Sequence, residues 1–469
     1  MLTRKLLLSL GAVLAVPLLS SCVSLLPVQP VVEVGVDAPL GVAPFTVSFR
    51  STVTLPSPEE DEGVWTFHWD FGDGTTAEGA DVMHTYHRPG VYQAQVTISD
   101  GDDFTTQRSL TMQALAGTAY EVSRYTTGLT PVAVASLDLN LDKQLDVISA
   151  NSKNHTISVF IAKGDALSNS YYQYPAIKSP SPNPQPQHIT LGEFNRDGLT
   201  DLVVLNPPDD NLTILFGDGI GGFQTPSGYK VIKPLQALVG DFDGDGNNDV
   251  MVLSRRGMVY EIVKFKGKGT GELKLGNKVF HHEAITDMVK GDFDRDGDLD
   301  LIVATSGFGL EYIVLLNEGD RFLPPQYGLL DSKPLRMVTL DFDFDGLLDL
   351  VTANANGTLS LIKNVGGGQF EPTGVVPLNY NAVAALSASD LNGDHITDLL
   401  LQHDRGLDIL LGDGKGRFTA PLPVEGFEGA VSPLGADING DGLADLVMVL
   451  PDHNELLLGI ARLTTQPAP

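Results

Sequence analysis

Residues 241–249 read DFDGDGNND, with carboxylates at offsets 0, 2, 4 and 8 and a glycine, Gly246, at offset 5. In a chain whose formal net charge is already −29, such a cluster repels itself unless it holds a cation. The same offsets recur at Asp138/Asn140/Asp142/Asp146, Glu193/Asn195/Asp197/Asp201, Asp241/Asp243/Asp245/Asp249 and Asp292/Asp294/Asp296/Asp300. Three more copies follow at Asp341/Asp343/Asp345/Asp349, Asp390/Asn392/Asp394/Asp398 and Asp437/Asn439/Asp441/Asp445. Every one of these positions carries a side-chain oxygen. A hard cation such as Ca²⁺ takes six to eight oxygens, and alternate residues of a tight loop can turn theirs inward together.

The remaining loop positions fit that chemistry. Offset 5 is glycine at 198, 246, 297, 346 and 442, as a sharp turn with positive φ requires. Offset 6 varies among Gln144, Leu199, Asn247, Asp298, Leu347, Ile396 and Leu443, so its backbone carbonyl, as at Asn247, Asp298, Leu347 and Leu443, is the expected ligand. Offset 8 is expected to close the shell as a bidentate carboxylate. An EF-hand also begins DxDxDG but needs Glu at offset 11 and flanking helices; here offset 11 is Val252 or Val303, within the strand-like runs VMVL and LIVA. Copies three to five carry four carboxylates each. Lys143 and His395 replace the turn glycine in the first and sixth, which are expected to bind more weakly. The reading predicts five to seven Ca²⁺ ions.

The loops start 47 to 55 residues apart, and a period near 50 signals a propeller or solenoid. Each unit offers a strand before the loop (QALVGDF), one after it (DVMVL), a third (NLTILFG), then a Gly-rich turn with a fourth strand (GDGIGGFQTP, GGGQFEPTG, GDGKGRFTAP). Four strands in each of seven units make a seven-bladed β-propeller. The motifs Gly-Asp-Phe-Asp-x-Asp-Gly and Gly-x-Gly-x-Phe resemble the FG-GAP/VCBS repeat, the unit of the integrin α-subunit propeller, over residues 118–463. The seventh unit stops after its third strand, ELLLGIA, so the stretch YEVSRYTTGL before the first loop is expected to pair with residues 455–461 and close the ring.

Upstream, VVEVGVD, TVSFRSTV, WTFHWDFG, YQAQVTIS and SLTMQA show strand alternation between Gly, Pro and Asp breaks. The predicted fold class is therefore all-β: an immunoglobulin-like β-sandwich at 31–115 followed by the propeller, with a tail at 464–469. WDFGDG (69–74), HTY (84–86) and PGVY (89–92) resemble the PKD domain, which implies that Trp69 and Phe71 fill a core. Residues 54–63 read as an acidic loop insertion.

The first 21 residues carry Arg4 and Lys5 ahead of an apolar run too short to span a bilayer, the pattern of a signal peptide. Leu19-Ser20-Ser21-Cys22 resembles the bacterial lipobox, which implies diacylation of Cys22, the chain's only cysteine, and a lipidated linker at 22–30. Val23 after it is what lipoproteins sent to the outer membrane carry in that family, so the expected location is the bacterial envelope, at the outer membrane or cell surface. The excess of 59 Asp+Glu over 30 Lys+Arg excludes nucleic acid as a natural partner.

No HExxH, GxSxG or P-loop occurs, and the GxGxxG at 217–222 runs into FQTP, not a helix. The pair His281–His282 reads as surface loop. If the acidic loops join first to second strands, the variable connections NSKNH, NPPDDN, SRRGM, TSGFGLE, ANANG, QHDRG and PDHN gather at the opposite face together with SPSPNPQPQ (179–187). In the integrin relatives that face receives ligands. His155, Arg255, Arg256, Phe308, His403, Arg405 and His453 are its candidate ligand residues. The expected function is a calcium-stabilised, membrane-anchored binding or adhesion protein for a protein or glycan, with no catalytic residue assigned. A Ca²⁺-dependent polysaccharide lyase or hydrolase using Lys153, Arg255 or Arg256, or an envelope scaffold, are the alternatives, and fold does not choose among them.

Overall fold

The computed structural model describes residues 30–55, 64–101, 104–168, 172–175, 185–224, 226–306, 311–380 and 383–463. The signal peptide, Cys22, most of the 54–63 segment, Phe308, residues 179–184 and the tail lie outside them. The described chain is all-β apart from one 3-10 turn, Pro207–Asp209. It divides into two compact units, the larger made of Ala38–Thr46, Thr85–Tyr92 and the chain from Thr111 onward.

The N-terminal strands form two sheets. One holds Val31–Val36, Phe45–Thr54 and Asp81–Tyr86; the other orders Leu40–Val42, Thr105–Leu115, Gly90–Ser99, Thr66–Asp70 and Thr76–Glu78. Alternate residues of these strands turn inward, so Val47, Phe49, Val96 and Ile98 are fully buried. Trp69 and Phe71 are buried too, each with its ring about 5 Å from that of Phe49. The indole N–H of Trp69 reaches the carbonyl of Gly79 at 3.1 Å, so the one polar atom of this core residue is satisfied. The WDFGDG stretch is structural here, as the sequence implied.

The second unit is built from seven antiparallel four-stranded sheets. The third is representative: Pro234–Gly240, Asp249–Arg256, Val259–Gly267 and Leu273–His282. Its second strand is buried on both faces, which explains runs such as DVMVL with no alternation. Val250 and Val252 enter the core shared with the second sheet, whereas Met251 and Leu253 enter the core shared with the fourth. Each consecutive pair of sheets owns one such core, and Val147 and Phe160 of the first sheet meet Val447 and Val449 of the seventh, completing the circuit. The seventh sheet takes its fourth strand from Thr118–Thr126, which pairs with Glu455–Leu463 from Glu455↔Thr126 to Leu463↔Thr118. This is the expected closure, and it removes the free edge that the last unit would otherwise expose.

Two expectations need correction. In the second and sixth sheets the Gly-x-Phe segment is not the fourth strand: it makes a small hairpin closed by the single bridges Gly217↔Phe223 and Gly412↔Phe418. The fourth strands there begin later, at Ser227 and Leu422. His281 and His282 lie not in a loop but at the end of a fourth strand, paired with Glu261 and Tyr260.

Neighbouring sheets are also stitched where their first strands meet. The residue four before the last of the first strand bonds the backbone of the next sheet: His188 Nε2 to Ala237 O, Gln236 Nε2 to Met288 O, and Asp287 Oδ2 from Met337 N–H. Arg336 Nε donates to Ala384 O, and Ser432 Oγ accepts from Val134 N–H across the closing seam. Asp287 is buried, and desolvation raises its pKa despite the two backbone N–H groups it accepts. Five residue types thus do one job at one structural position.

Candidate metal centres and the opposite edge

All seven acidic loops adopt one geometry, built from the same four hydrogen bonds. The offset-0 carboxylate accepts the N–H of offset 5, as from Gly246 to Asp241 Oδ2 at 2.7 Å and from Gly297 to Asp292 Oδ2 at 3.1 Å. Glu193, one methylene longer, still reaches Gly198 N–H at 2.6 Å. The offset-4 carboxylate accepts the N–H of offset 6, as from Asn247 to Asp245 and from Leu443 to Asp441. The offset-8 aspartate accepts two: Phe242 N–H within the loop and Gly267 N–H from the third strand, both to Asp249. Asp146, Asp201, Asp300, Asp349, Asp398 and Asp445 repeat this double acceptance.

Offset 8 is therefore not the free bidentate carboxylate expected. It is a fully buried tie between the loop and the third strand, with only the remaining lone pairs of its two oxygens open to a cation. Burial raises its pKa: about 6 at Asp201 and Asp349, about 7 at Asp300 and about 8 at Asp398. Neighbouring loop carboxylates add to that rise.

The backbone holds a second left-handed residue that the sequence did not announce. Offset 5 has positive φ in every copy, including Lys143 at 73° and His395 at 66°. Offset 3 does as well: Leu141, Arg196, Arg295 and Phe344 lie at 59–63°, beside Gly244, Gly393 and Gly440. Because an L-residue in this region costs roughly 1–2 kcal/mol, Lys143→Gly and His395→Gly should each stabilise the protein. The expected gain is about 0.5–1 kcal/mol after the extra unfolded-state entropy of glycine. Thermal melting of the two single variants checks this, and a lower midpoint would count against it.

Asp241, Asp243 and Asp249 bring one carboxylate oxygen each to within 4.8 Å of one another, as do Asp292, Asp294 and Asp300, and Asp341, Asp343 and Asp349. In these three loops offset 2 is Asp. In the other four it is Asn140, Asn195, Asn392 or Asn439, whose amide donates to the offset-4 aspartate at 2.9–3.0 Å. The Oδ1 atoms of Asp243, Asp292, Asp341 and Asp343 are buried and have no hydrogen-bond partner. A buried unpartnered carboxylate oxygen is expensive, and an oxygen-seeking cation is what these atoms fit.

The converging groups join offsets 0, 2 and 8, and offset 4 is not among them. Against the expectation that alternate residues all turn inward, Asp142, Asp197, Asp245, Asp296, Asp345, Asp394 and Asp441 are exposed. In the four asparagine loops the loop's own donors reach both oxygens of the offset-4 aspartate, at Asp394 and Asp441 as at Asp142 and Asp197. Asp142 accepts the Gln144 N–H on Oδ1 and the Asn140 amide on Oδ2, each at 2.9 Å. Asp197 accepts the Leu199 N–H on Oδ1 at 2.8 Å and the Asn195 amide on Oδ2 at 2.9 Å. Asp142 and Asp197 thus brace their turns, with only the remaining lone pairs of their oxygens open to a cation. The physical reason is the offset-2 asparagine: its amide draws the offset-4 carboxylate to itself, where an aspartate would repel it.

Charge around the three aspartate-rich loops differs. Burial opposes ionisation of Asp243, but the ammonium groups of Lys266 and Lys264 outweigh it and hold the carboxyl below its ordinary range. Burial and the charge of Asp296 instead push Asp294 up. The lysines, which stand in third strands, were not among the expected site residues. The signal available was a charge in an otherwise apolar strand, IVKFKG against TILFG and YIVLLN.

The described candidate ligand residues, His155, Arg255, Arg256, His403, Arg405 and His453, lie in or beside second-to-third-strand turns, at the ends of the sheets opposite the acidic loops, but in four different sheets. Arg255 stacks its guanidinium 5.5 Å from the centre of the Tyr260 ring, and Arg256 and Arg405 are exposed. His453 is exposed in the turn before Glu455. His155 takes φ of 63° and buries its Nδ1. His403 departs from expectation: its side chain is 6 % exposed, with the imidazole stacked 3.7 Å from the ring of Tyr380 and Nε2 3.4 Å from Asp408. It is a packed residue, not a presented one.

Comparison with known proteins follows the same division. The PKD domain family matches residues 28–114, and the FG-GAP-like repeat family matches five overlapping spans, 138–204, 193–252, 241–303, 341–401 and 390–448. Collagenase ColA of Clostridium perfringens is 21% identical over 215 residues, 45% of this chain and 17% of its own. Polycystin-1 of Homo sapiens is 40% identical over 67 residues, 13% of this chain and 2% of its own. The chain thus spans less than a fifth of the length of either curated relative. A solved structure of BBS1N in complex with ARL6DN shares the fold with a TM-score of 0.51 at 9% identity, over 74% of this chain and 97% of that one. With all seven acidic loops inside the matched spans, which cover more than half of its length, the chain belongs to the FG-GAP-like repeat family and carries a PKD domain ahead of the repeats.

Proposed function

We propose that this chain is a calcium-stabilised, membrane-anchored binding or adhesion protein of the cell surface. In this reading Cys22 carries the lipid, residues 31–115 form a PKD spacer, and residues 118–463 form a seven-bladed β-propeller. The propeller recognises a protein or glycan with the hairpins opposite the calcium loops. PKD and FG-GAP repeats together suit an extracellular binding protein, and among the described residues no helix is long and apolar enough to cross a membrane.

The observation that carries the reading is the contrast between the two ends of the sheets. One end repeats a single loop seven times with the same hydrogen bonds, and its buried unpartnered Oδ1 atoms suit Ca²⁺. The other presents seven connections that share no sequence, including the exposed Arg256 and Arg405. Uniform chemistry on one edge supports the ring; variety on the other is what a recognition surface needs.

The test uses fluorescently labelled mature protein with calcium on glycan arrays and intact cells. Saturable binding that falls in the Arg255→Gln/Arg256→Gln variant, with unchanged melting, supports the reading. Absence of saturable binding, or turnover of an acidic polysaccharide, overturns it. Loss of membrane association and of palmitate labelling in Cys22→Ser checks the anchor.

A further inference from the structure

Six of the seven loops have a side-chain donor on the carboxylate at offset 2 or 4, whereas the fourth has backbone N–H donors alone among the described residues. In the first, second, sixth and seventh loops it is the offset-2 asparagine amide. In the third loop Lys264 Nζ lies 3.1 Å from Asp243 Oδ2, 3.1 Å from Asp249 Oδ2 and 2.9 Å from Asp320 Oδ1, with its side chain 7 % exposed. Lys266 Nζ adds contacts of 2.6 Å to Asp243 Oδ2 and 3.2 Å to Asp245 Oδ2. In the fifth loop Lys363 bonds Asp343 Oδ2 and lies 3.0 Å from Asp345 Oδ2. Lys266 and Lys363 occupy the same place, each beside the residue that pairs with the one after offset 8: Val250↔Phe265 in one sheet and Leu350↔Ile362 in the other.

The fourth loop has Leu316 at that place, after Leu301↔Leu315. Its five carboxylates, Asp292, Asp294, Asp296, Asp298 and Asp300, form no ion pair among the described residues. Its own Arg295 turns away to the carbonyl of Asp345 in the neighbouring loop.

We propose that Lys264, Lys266 and Lys363 are resident counter-ions that hold the third and fifth loops in shape without metal and lower their affinity for calcium, leaving the fourth loop as the principal calcium-dependent site. This rests on the calcium reading above. An ammonium on a carboxylate removes part of the repulsion that folding the loop creates, and by the same amount it weakens the field that draws in a divalent ion. The asparagine loops reach a similar end by dropping one charge. The fourth loop has neither device, so calcium supplies all of its neutralisation.

The experiment compares the full-length protein with Lys266→Met, Lys363→Met and Asp294→Asn, by melting in excess chelator and by calcium titration against a chromophoric chelator. In chelator the two lysine variants should melt several degrees below the parent, and Asp294→Asn should melt above it. The lysine variants should gain about tenfold in calcium affinity at one site each, the size expected for one lost charge contact near the surface. Asp294→Asn should lose the tightest site. Should a methionine variant fail to fold, Lys266→Arg and Lys363→Arg, which keep the charge, should restore the parent's melting. Unchanged chelator melting and unchanged titration in the lysine variants would overturn the proposal. A parent that binds no calcium would overturn the calcium reading instead, while the chelator melts would still decide whether the lysines act as counter-ions.

Discussion

Stripping calcium from the purified protein with excess chelator should lower its melting midpoint by tens of degrees, and at 37 °C should leave the ring partly unfolded. A single site at a hundredfold its dissociation constant contributes about 2.7 kcal/mol. Five sites, with the fourth loop contributing the largest single share, would together approach the stability of an ordinary domain, roughly 5–15 kcal/mol. The loss should be graded with free calcium, and magnesium should replace it poorly because its octahedral shell resists crowded carboxylates. An unmoved midpoint in chelator would sink the metal assignment.

The pH dependence of that gap follows from the offset-8 aspartates. Their folded, metal-free pKa values lie above the ordinary carboxylate range, near 6 at Asp201 and Asp349, 7 at Asp300 and 8 at Asp398. The folded state then holds more protons than the unfolded one, so chelated protein loses stability as pH rises from about 4 towards 8. Calcium keeps the same groups ionised, and protons compete with it as pH falls. The difference between loaded and stripped protein should therefore be widest at pH 8 and should shrink by pH 6, a trend that melting at a series of pH values reads directly.

Replacing Thr118–Thr126 with a Gly/Ser linker of equal length should lower stability by at least about 5 kcal/mol. The strand makes nine residue pairs with Glu455–Leu463, and the Arg124–Glu455 ion pair at 2.9 Å lies across them. Net contributions of about 1 kcal/mol per backbone hydrogen bond already reach this figure before the apolar contacts of Tyr125 beside Phe160 are added. The freed edge should also pair with other chains, so the variant should elute as oligomers on size exclusion. A monomeric variant with the parent's melting curve would show that the seventh sheet is complete with three strands.

Much of this was legible because repetition makes position meaningful. Seven copies separated loop positions that always carry a side-chain oxygen from those, such as offset 6, whose type varies freely. The Gly at offset 5 announced a turn, and its φ is positive in all copies. Which way each carboxylate faces was not legible: the types at offsets 2 and 4 look interchangeable, yet Asp243 is buried against lysines while Asp142 and Asp197 stand exposed, bracing their own turns. The second left-handed position was hidden because four of its seven residues, Leu141, Arg196, Arg295 and Phe344, have side chains that ordinarily avoid it. The stitching between sheets was equally hidden: His188, Gln236, Asp287, Arg336 and Ser432 look unrelated until the register places them at one site. Lys264, Lys266 and Lys363 were missed for another reason. They lie far along the chain from the carboxylates they meet, and only strand pairing brings the two together.

The pairing of Thr118–Thr126 with Glu455–Leu463 also sets how the ring would carry a load. Thr118 sits at the acidic-loop end of its strand and Thr126 at the hairpin end, beside Glu455. A pull that enters the ring at Thr118 from the N-terminal side, resisted by a partner held at the hairpins, runs along that strand. It works in shear against all nine pairs at once. Only a pull that draws Thr118 and Leu463 apart, with force on both strands at that end, would open the pairs one after another like a zip. Traction between Thr118 and the hairpins is therefore a direction in which this pairing resists with all of its bonds together.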